Sequence, residues 1–215
     1  MNQQKLSRRH FLRTTALALP LAAGCVTSTS VRRAHSRPED FVSVREGRFR
    51  LRGKPYTYVG TNLWFGCYVS DAALPGGRAR LVRELDRLQR IGATNIRLLA
   101  GSETSPLVGA ITRGIIKSPR EYDEELLRGL DFCLAEMAKR DMRGILFLSN
   151  YWQWSGGFAQ YVRWATGENI PDPDVPKIAA GDWSAFMKMS ARLYATPAAN
   201  ELYLAYTEHL LQRRN

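Results

Sequence analysis

The chain has 215 residues, 45% of them hydrophobic and 24% charged, which is enough apolar material for one sizeable core and excludes a wholly disordered chain. A net charge of +11 points first to nucleic acid, but seven of the 31 Lys and Arg (Lys5, Arg8, Arg9, Arg13, Arg32, Arg33, Arg37) fall in a leading stretch without acids, leaving 24 against 20. No phosphate-binding stripe remains in the rest, so nucleic acid is not an expected partner.

In chain order, Ser7-Arg8-Arg9-His10-Phe11-Leu12-Arg13 resembles a twin-arginine export signal. It precedes an apolar segment, Ala16 to Gly24, shorter than the roughly 20 residues a membrane span requires. Leu21-Ala22-Ala23-Gly24-Cys25 has the form of a lipoprotein signal, in which the Cys25 thiol accepts the lipid. An ordinary small-residue cleavage site near Ala23 is the alternative. The expected organisation is a signal peptide over 1–24, a Ser/Thr/Arg-rich tether over 25–40 and a folded region over 41–215. Export by the twin-arginine route would leave the protein periplasmic, membrane-anchored through Cys25, or extracellular.

Phe41–Val44 and Arg48–Leu51 alternate around Glu46-Gly47, the signature of a hairpin, and Tyr56–Asn62 reads as a buried strand. Arg78–Ile91 places Leu81, Leu85 and Leu88 on one helical face, and Gly92 ends it. Thr94–Leu99 is a second strand. Ser118-Pro119-Arg120-Glu121 has the form of a capping box ahead of a helix over Glu124–Arg140, and Gly144–Ser149 is a third strand. A loop with Pro171, Pro173 and Pro176 leads to Asp182 as N-cap of a helix over Trp183–Tyr194, and a last helix starts near Pro197.

Strands alternating with helices predict parallel βαβ units. A doubly wound sheet would carry a glycine-rich phosphate loop, and none of that form occurs. The expected fold is therefore α/β, the first three βα units of a (β/α)8 TIM barrel behind an N-terminal β-hairpin, with its chemistry on the loops after the strands.

Those loops hold the chain's most unusual stretch, Ser149-Asn150-Tyr151-Trp152-Gln153-Trp154-Ser155-Gly156-Gly157. Indole faces pack against the C–H faces of sugars, and Asn62, Trp64, Asn150, Trp152, Gln153 and Trp154 combine flat rings with amides as a carbohydrate cleft requires. The rings could equally fill the hollow beneath a long loop. Arg97, inside the apolar run Ile96-Arg97-Leu98-Leu99, calls for a carboxylate partner, either Glu103 as a structural staple or a catalytic carboxylate. Cys67 and Cys133 have no metal-like spacing; Cys133 shares a helical face with Leu126, Leu130 and Met137, and a disulfide between the two stays open. His10, His35 and His209 offer no triad or metal set, two of them lying in the leader and tether.

The segments GKPYTYVGTNLWFG, IGATNIRLLAGSE and above all LSNYWQWSGGFAQYVRWATG resemble the N-terminal half of glycoside hydrolase family 5 β-mannanases. The resemblance implies a (β/α)8 barrel, retaining hydrolysis of β-1,4-mannan without metal or cofactor, and correspondence of Arg97 to the arginine beside the nucleophile. It also implies that Trp152 or Trp154 lines the sugar site, with a cellulase-like β-1,4-glucanase as an alternative specificity. The family's acid/base glutamate stands in an Asn-Glu pair after the fourth strand, its nucleophile after the seventh. Asn200-Glu201 lies in a helical pattern and Gly167-Glu168-Asn169 reverses the order, so both catalytic glutamates are expected beyond Asn215 and the 215 residues alone are expected to be inactive. The rivals are a non-catalytic exported lipoprotein that binds polysaccharide and a small enzyme using Glu103 and Glu168.

Overall fold

The computed structural model describes residues 37–175 and 183–213. The leader with Arg8 and Arg9, Cys25, most of the tether and Asp182 lie outside the described residues. The chain divides into two compact units, Met1–Lys54 and Pro55–Asn215.

In the first unit, β1 (Ser43–Arg45) and β2 (Arg48–Leu51) pair antiparallel with Ser43 opposite Arg50 and Arg45 opposite Arg48. The two-residue turn between them places Glu46 and Gly47 at φ 53° and 70°. Positive φ at both central positions matches the right-handed strand twist, and glycine adopts it without steric cost. A second turn through Arg52 and Gly53 leads into β3 (Lys54–Pro55), the third strand of that sheet.

The second unit opens with β4 (Val59–Asn62), followed by α1 (Gly66–Val69), α2 (Gly77–Arg90) and β5 (Ala93–Leu99). A hairpin of β6 (Ile116–Ser118) and β7 (Glu121–Tyr122) precedes α3 (Glu124–Ala138) and β8 (Arg143–Phe147). Three helices complete it: α4 (Gly157–Thr166), α5 (Trp183–Ala191) and α6 (Pro197–Leu211). The main sheet has the order β4-β5-β8 with both pairings parallel, as βαβ connections through α2 and α3 require.

Burial follows the pleat only at the middle of β5, since Asn95 and Leu99, on the same side as Arg97, are buried too. Ile96 and Leu98 of β5 are fully buried in one core with Leu81 and Leu85 of α2 and Leu126, Leu127, Leu130 and Cys133 of α3. At about 1.5–3 kcal/mol for each large apolar side chain removed from water, this cluster dominates the stability of the unit. Across the sheet Asn62, Arg97 and Ile145 stand in register as one row, and all three are exposed. One face is thus covered by helices while this row of the other meets solvent. A parallel sheet ordinarily buries both.

Three expectations need correction, and one helix was not foreseen. The strand expected over Tyr56–Asn62 is regular only from Val59, where the pairing to β5 is irregular, while the Tyr56 hydroxyl bonds the Thr94 carbonyl at 3.4 Å. Ser118–Glu121 is the β6–β7 turn and no capping box: the Ser118 hydroxyl donates to Glu121 at 2.7 Å and Arg120 takes φ 64°. The true N-cap of α3 is Asp123, whose Oδ1 accepts from the amides of Glu125 and Leu126, each at 3.1 Å. Finally, α5 stops at Ala191, short of the expected Tyr194, and α4 occupies a stretch to which the sequence reading assigned no element.

Candidate active-site rim

The loops after the three parallel strands meet at one end of the sheet. Trp64 follows β4; Trp154 lies in a 3-10 turn, Gln153–Ser155, after β8. Their rings meet edge to face with centroids 5.3 Å apart, a preferred aromatic geometry. Together with Gly109, Ala110 and Ile111 from the loop after β5 they line an open cleft of 510 Å³. Trp64 is 41% exposed, Trp154 half-buried. Trp152 points elsewhere: it is 51% exposed and meets Trp183 of α5 edge to face at 5.7 Å. The structure thus separates the two indoles that the sequence left undecided.

Polar contacts fix the aromatic loop. Asn150 donates from Nδ2 to the Ser155 hydroxyl at 2.5 Å and accepts from the Trp152 amide at 2.6 Å. The Tyr151 hydroxyl donates to the Met187 carbonyl at 2.6 Å. The Trp154 carbonyl accepts from the Ile111 amide at 2.8 Å, tying the two walls of the cleft together. Gln153 reaches outward to Asp174 at 2.8 Å.

Beneath that loop lies Glu103, with no solvent exposure. Its Oε2 accepts from the Gly157 amide at 2.8 Å and its own amide donates to the Ser155 carbonyl at 2.7 Å. Burial pushes its carboxyl up to about 7, against the Ser149 hydroxyl, the Gly157 amide and the Tyr161 hydroxyl, which favour the ionised form. Gly156, at φ 86°, lies directly on it: a side chain there would come within 2.7 Å of Glu103 Cβ.

In the loop after β5, beyond Glu103, Arg113 grips Asp123 through two bonds of 2.7 and 2.9 Å and bonds Asp71 with its other terminal nitrogen. Both aspartates are 5% exposed. At Asp71 the Ala73 amide, with Arg113, holds the carboxyl below its usual range; at Asp123 burial opposes, and Arg113 with the Leu126 amide outweighs it.

Arg97 departs from expectation. It is exposed, and its guanidinium stacks 3.8 Å over the Phe147 ring. No carboxylate among the described residues pairs with it, Glu103 included. The reason is pleat geometry: Arg97 falls on the open face while the apolar neighbours that suggested burial, Ile96 and Leu98, point to the helices. Asn62 flanks it in register at the exposed β4 edge. Glu168 forms a two-point ion pair with Arg192 at 2.6 and 2.7 Å on the surface, whereas Glu103 is sealed, so the two do not share a site. Cys67 and Cys133 are buried free thiols, and among the described residues no three His, Cys, Asp or Glu gather as metal ligands. The Asp71–Arg113–Asp123 clamp was missed; the only sequence signal was a single arginine in a polar loop.

A family model described as GH family 5 beta-mannosidase-like matches residues 39–215. Mannan endo-1,4-beta-mannosidase 1 of Solanum lycopersicum is 35% identical over 136 residues, 62% of this chain and 32% of that protein. The solved glycoside hydrolase family 5 mannosidase of Rhizomucor miehei superposes with a TM-score of 0.75 at 30% identity, covering 84% of this chain and 45% of that one. A mutant of that mannosidase, solved with mannosyl-fructose, matches with the same TM-score at 31% identity, over 82% of this chain and 44% of that one. The chain spans 30% of the length of the first curated relatives it matches. With a match running from the hairpin through the aromatic loop and α6, this chain belongs to the GH family 5 beta-mannosidase-like proteins.

Proposed function

We propose that the chain forms the first three βα units of an exported retaining β-1,4-mannanase and carries part of its sugar-binding cleft. The observation that carries this reading is the Trp64–Trp154 cleft at the loop end of the parallel sheet, within a chain whose solved and curated relatives are mannosidases. The mannosyl-fructose complex of one relative supports a mannose-containing ligand. Trp154, with Trp64, is the platform; Trp152 and Asn150 are peripheral and supporting. Arg97 on the open face is positioned to meet a carboxylate supplied from outside the described residues.

Retaining hydrolysis needs two carboxyl groups roughly 5–5.5 Å apart, one acid/base and one nucleophile. Glu103 is sealed and Glu168 is held by Arg192, so we assign neither role to them, and these residues alone should release no reducing ends from mannan. That same observation favours, as second reading, an exported protein that binds polysaccharide without cutting it. Both readings place Arg8-Arg9 in export and Cys25 in membrane attachment. Electrophoresis through gels containing mannan or cellulose tests the shared claim: retardation by mannan above cellulose is expected, and equal mobility in both would reject it. Cys25→Ala should release the mature protein from membranes; unchanged association would reject the anchor.

A further inference from the structure

We propose that Glu103 is a positioning residue: by accepting the Gly157 amide beneath the aromatic loop, it fixes the loop that presents Trp154. The inference rests on the reading of Trp64–Trp154 as a sugar platform. Glu103 cannot act on substrate itself, because it has no solvent exposure and sits below the cleft. What it does touch is the loop. Residues 155–157 wrap over it, with the Ser155 carbonyl on its amide and the Gly157 amide on its Oε2 at 2.7 and 2.8 Å. Gly156 at φ 86° lies too close for any side chain. Asn150 and Tyr151 hold the start of the loop, Gln153 is tied outward to Asp174 and the Trp154 carbonyl accepts from the Ile111 amide, while the fully buried Glu103 side chain holds its Gly157 end.

A buried carboxyl is a costly way to hold one amide, since a neutral amide side chain would accept the same bond. The carboxyl brings a response that the amide lacks. The titratable groups around it are phenols: Tyr161 from α4, Tyr203 and Tyr206 from α6, and Tyr68 from α1, all pushed up by burial and by Glu103 itself. None of these titrates between pH 5 and 9, so within that window a change in the loop reports Glu103.

The test uses the 215-residue chain as it exists and three readouts: amide exchange at Gly157 and Ser155, loop tryptophan fluorescence against pH, and affinity for mannopentaose. Glu103→Gln keeps an acceptor and should retain Gly157 protection and affinity, while abolishing the fluorescence transition expected of the wild type near neutrality. Glu103→Ala should lower Gly157 protection by about tenfold or more, with α2 and β5 amides unchanged, and weaken mannopentaose by about tenfold. Unaltered Gly157 protection in Glu103→Ala would overturn the proposal, as would uniform loss of protection throughout α2 and α3 in Glu103→Gln. If Glu103→Ala fails to fold, the Gln variant decides: a pH transition identical to wild type overturns the assignment, and its loss upholds it. Should the wild type bind no mannopentaose while Gly157 responds as expected, the sugar platform falls and the positioning role stands.

Discussion

The loop that follows β5 is held at its two ends by opposite electrostatic means. Near its start, Glu103 is sealed under the aromatic loop and burial raises its carboxyl to about 7. Near its end, Arg113 bridges Asp71 and Asp123, two carboxyls held below their usual range. The first anchor is most favourable when neutral, the second when charged. A carboxylate's contribution to a fold is thus set by what replaces its water, whether a guanidinium or little more than hydroxyls and one amide.

The contrast breaks hardest at Gly156. Gly156→Ala would force a methyl onto Glu103 at a positive φ, and should destabilise the unit by about 3 kcal/mol or more, read as the midpoint of denaturant unfolding. Arg113→Ala comes next. It leaves two nearly buried carboxylates facing each other, and since Arg113 itself is 46% exposed, the cost should be about 2 kcal/mol at neutral pH rather than the larger value of a sealed pair.

The two anchors also respond to pH in opposite directions. Glu103 has a folded-state value raised from 4.5 to about 7, so its contribution is fully present below pH 4.5 and is lost as pH rises toward 7, by up to about 3 kcal/mol. Asp71 and Asp123 have lowered values, so theirs is present above 3.8 and is lost on further acidification. Unfolding free energy should therefore fall between pH 4.5 and 7 in the wild type and stay level in Glu103→Gln. A wild-type profile that is flat over that interval would contradict the assignment. The smallest effect belongs to the surface: Arg192→Ala removes an exposed pair with Glu168 and should leave the denaturant midpoint almost unchanged, because solvent screens such a pair.

The sequence made some of this legible and not the rest, for identifiable reasons. Parallel strands and amphipathic helices were readable because Leu81, Leu85, Leu126 and Leu130 repeat at helical spacing and the chain alternates between the two periods. The rim was readable as a place, since Trp64, Trp152, Trp154 and Glu103 all fall after strand ends. Directions were harder. Arg97 was expected to be buried because its neighbours are apolar, but adjacent residues in a strand face opposite ways. Ser118–Glu121 had the composition of a cap and became a turn, because Arg120 takes a left-handed conformation that ends any helix start there. The clamp through Arg113 joins residues 42 and 10 positions away, a separation that local pattern does not encode.

The proposed role of Trp154, on a loop fixed from below by Glu103, is that of a platform for β-linked mannose. It is tested most directly by titrating mannopentaose into the folded chain and its Trp154→Ala variant, with calorimetry for affinity and thermal unfolding as control. Saturable binding that weakens by about 1–3 kcal/mol in Trp154→Ala, with stability changed by less, is the expected result. Equal affinity in the two proteins, or a variant that unfolds while its folded fraction binds as before, would return the ring to the core and contradict the account.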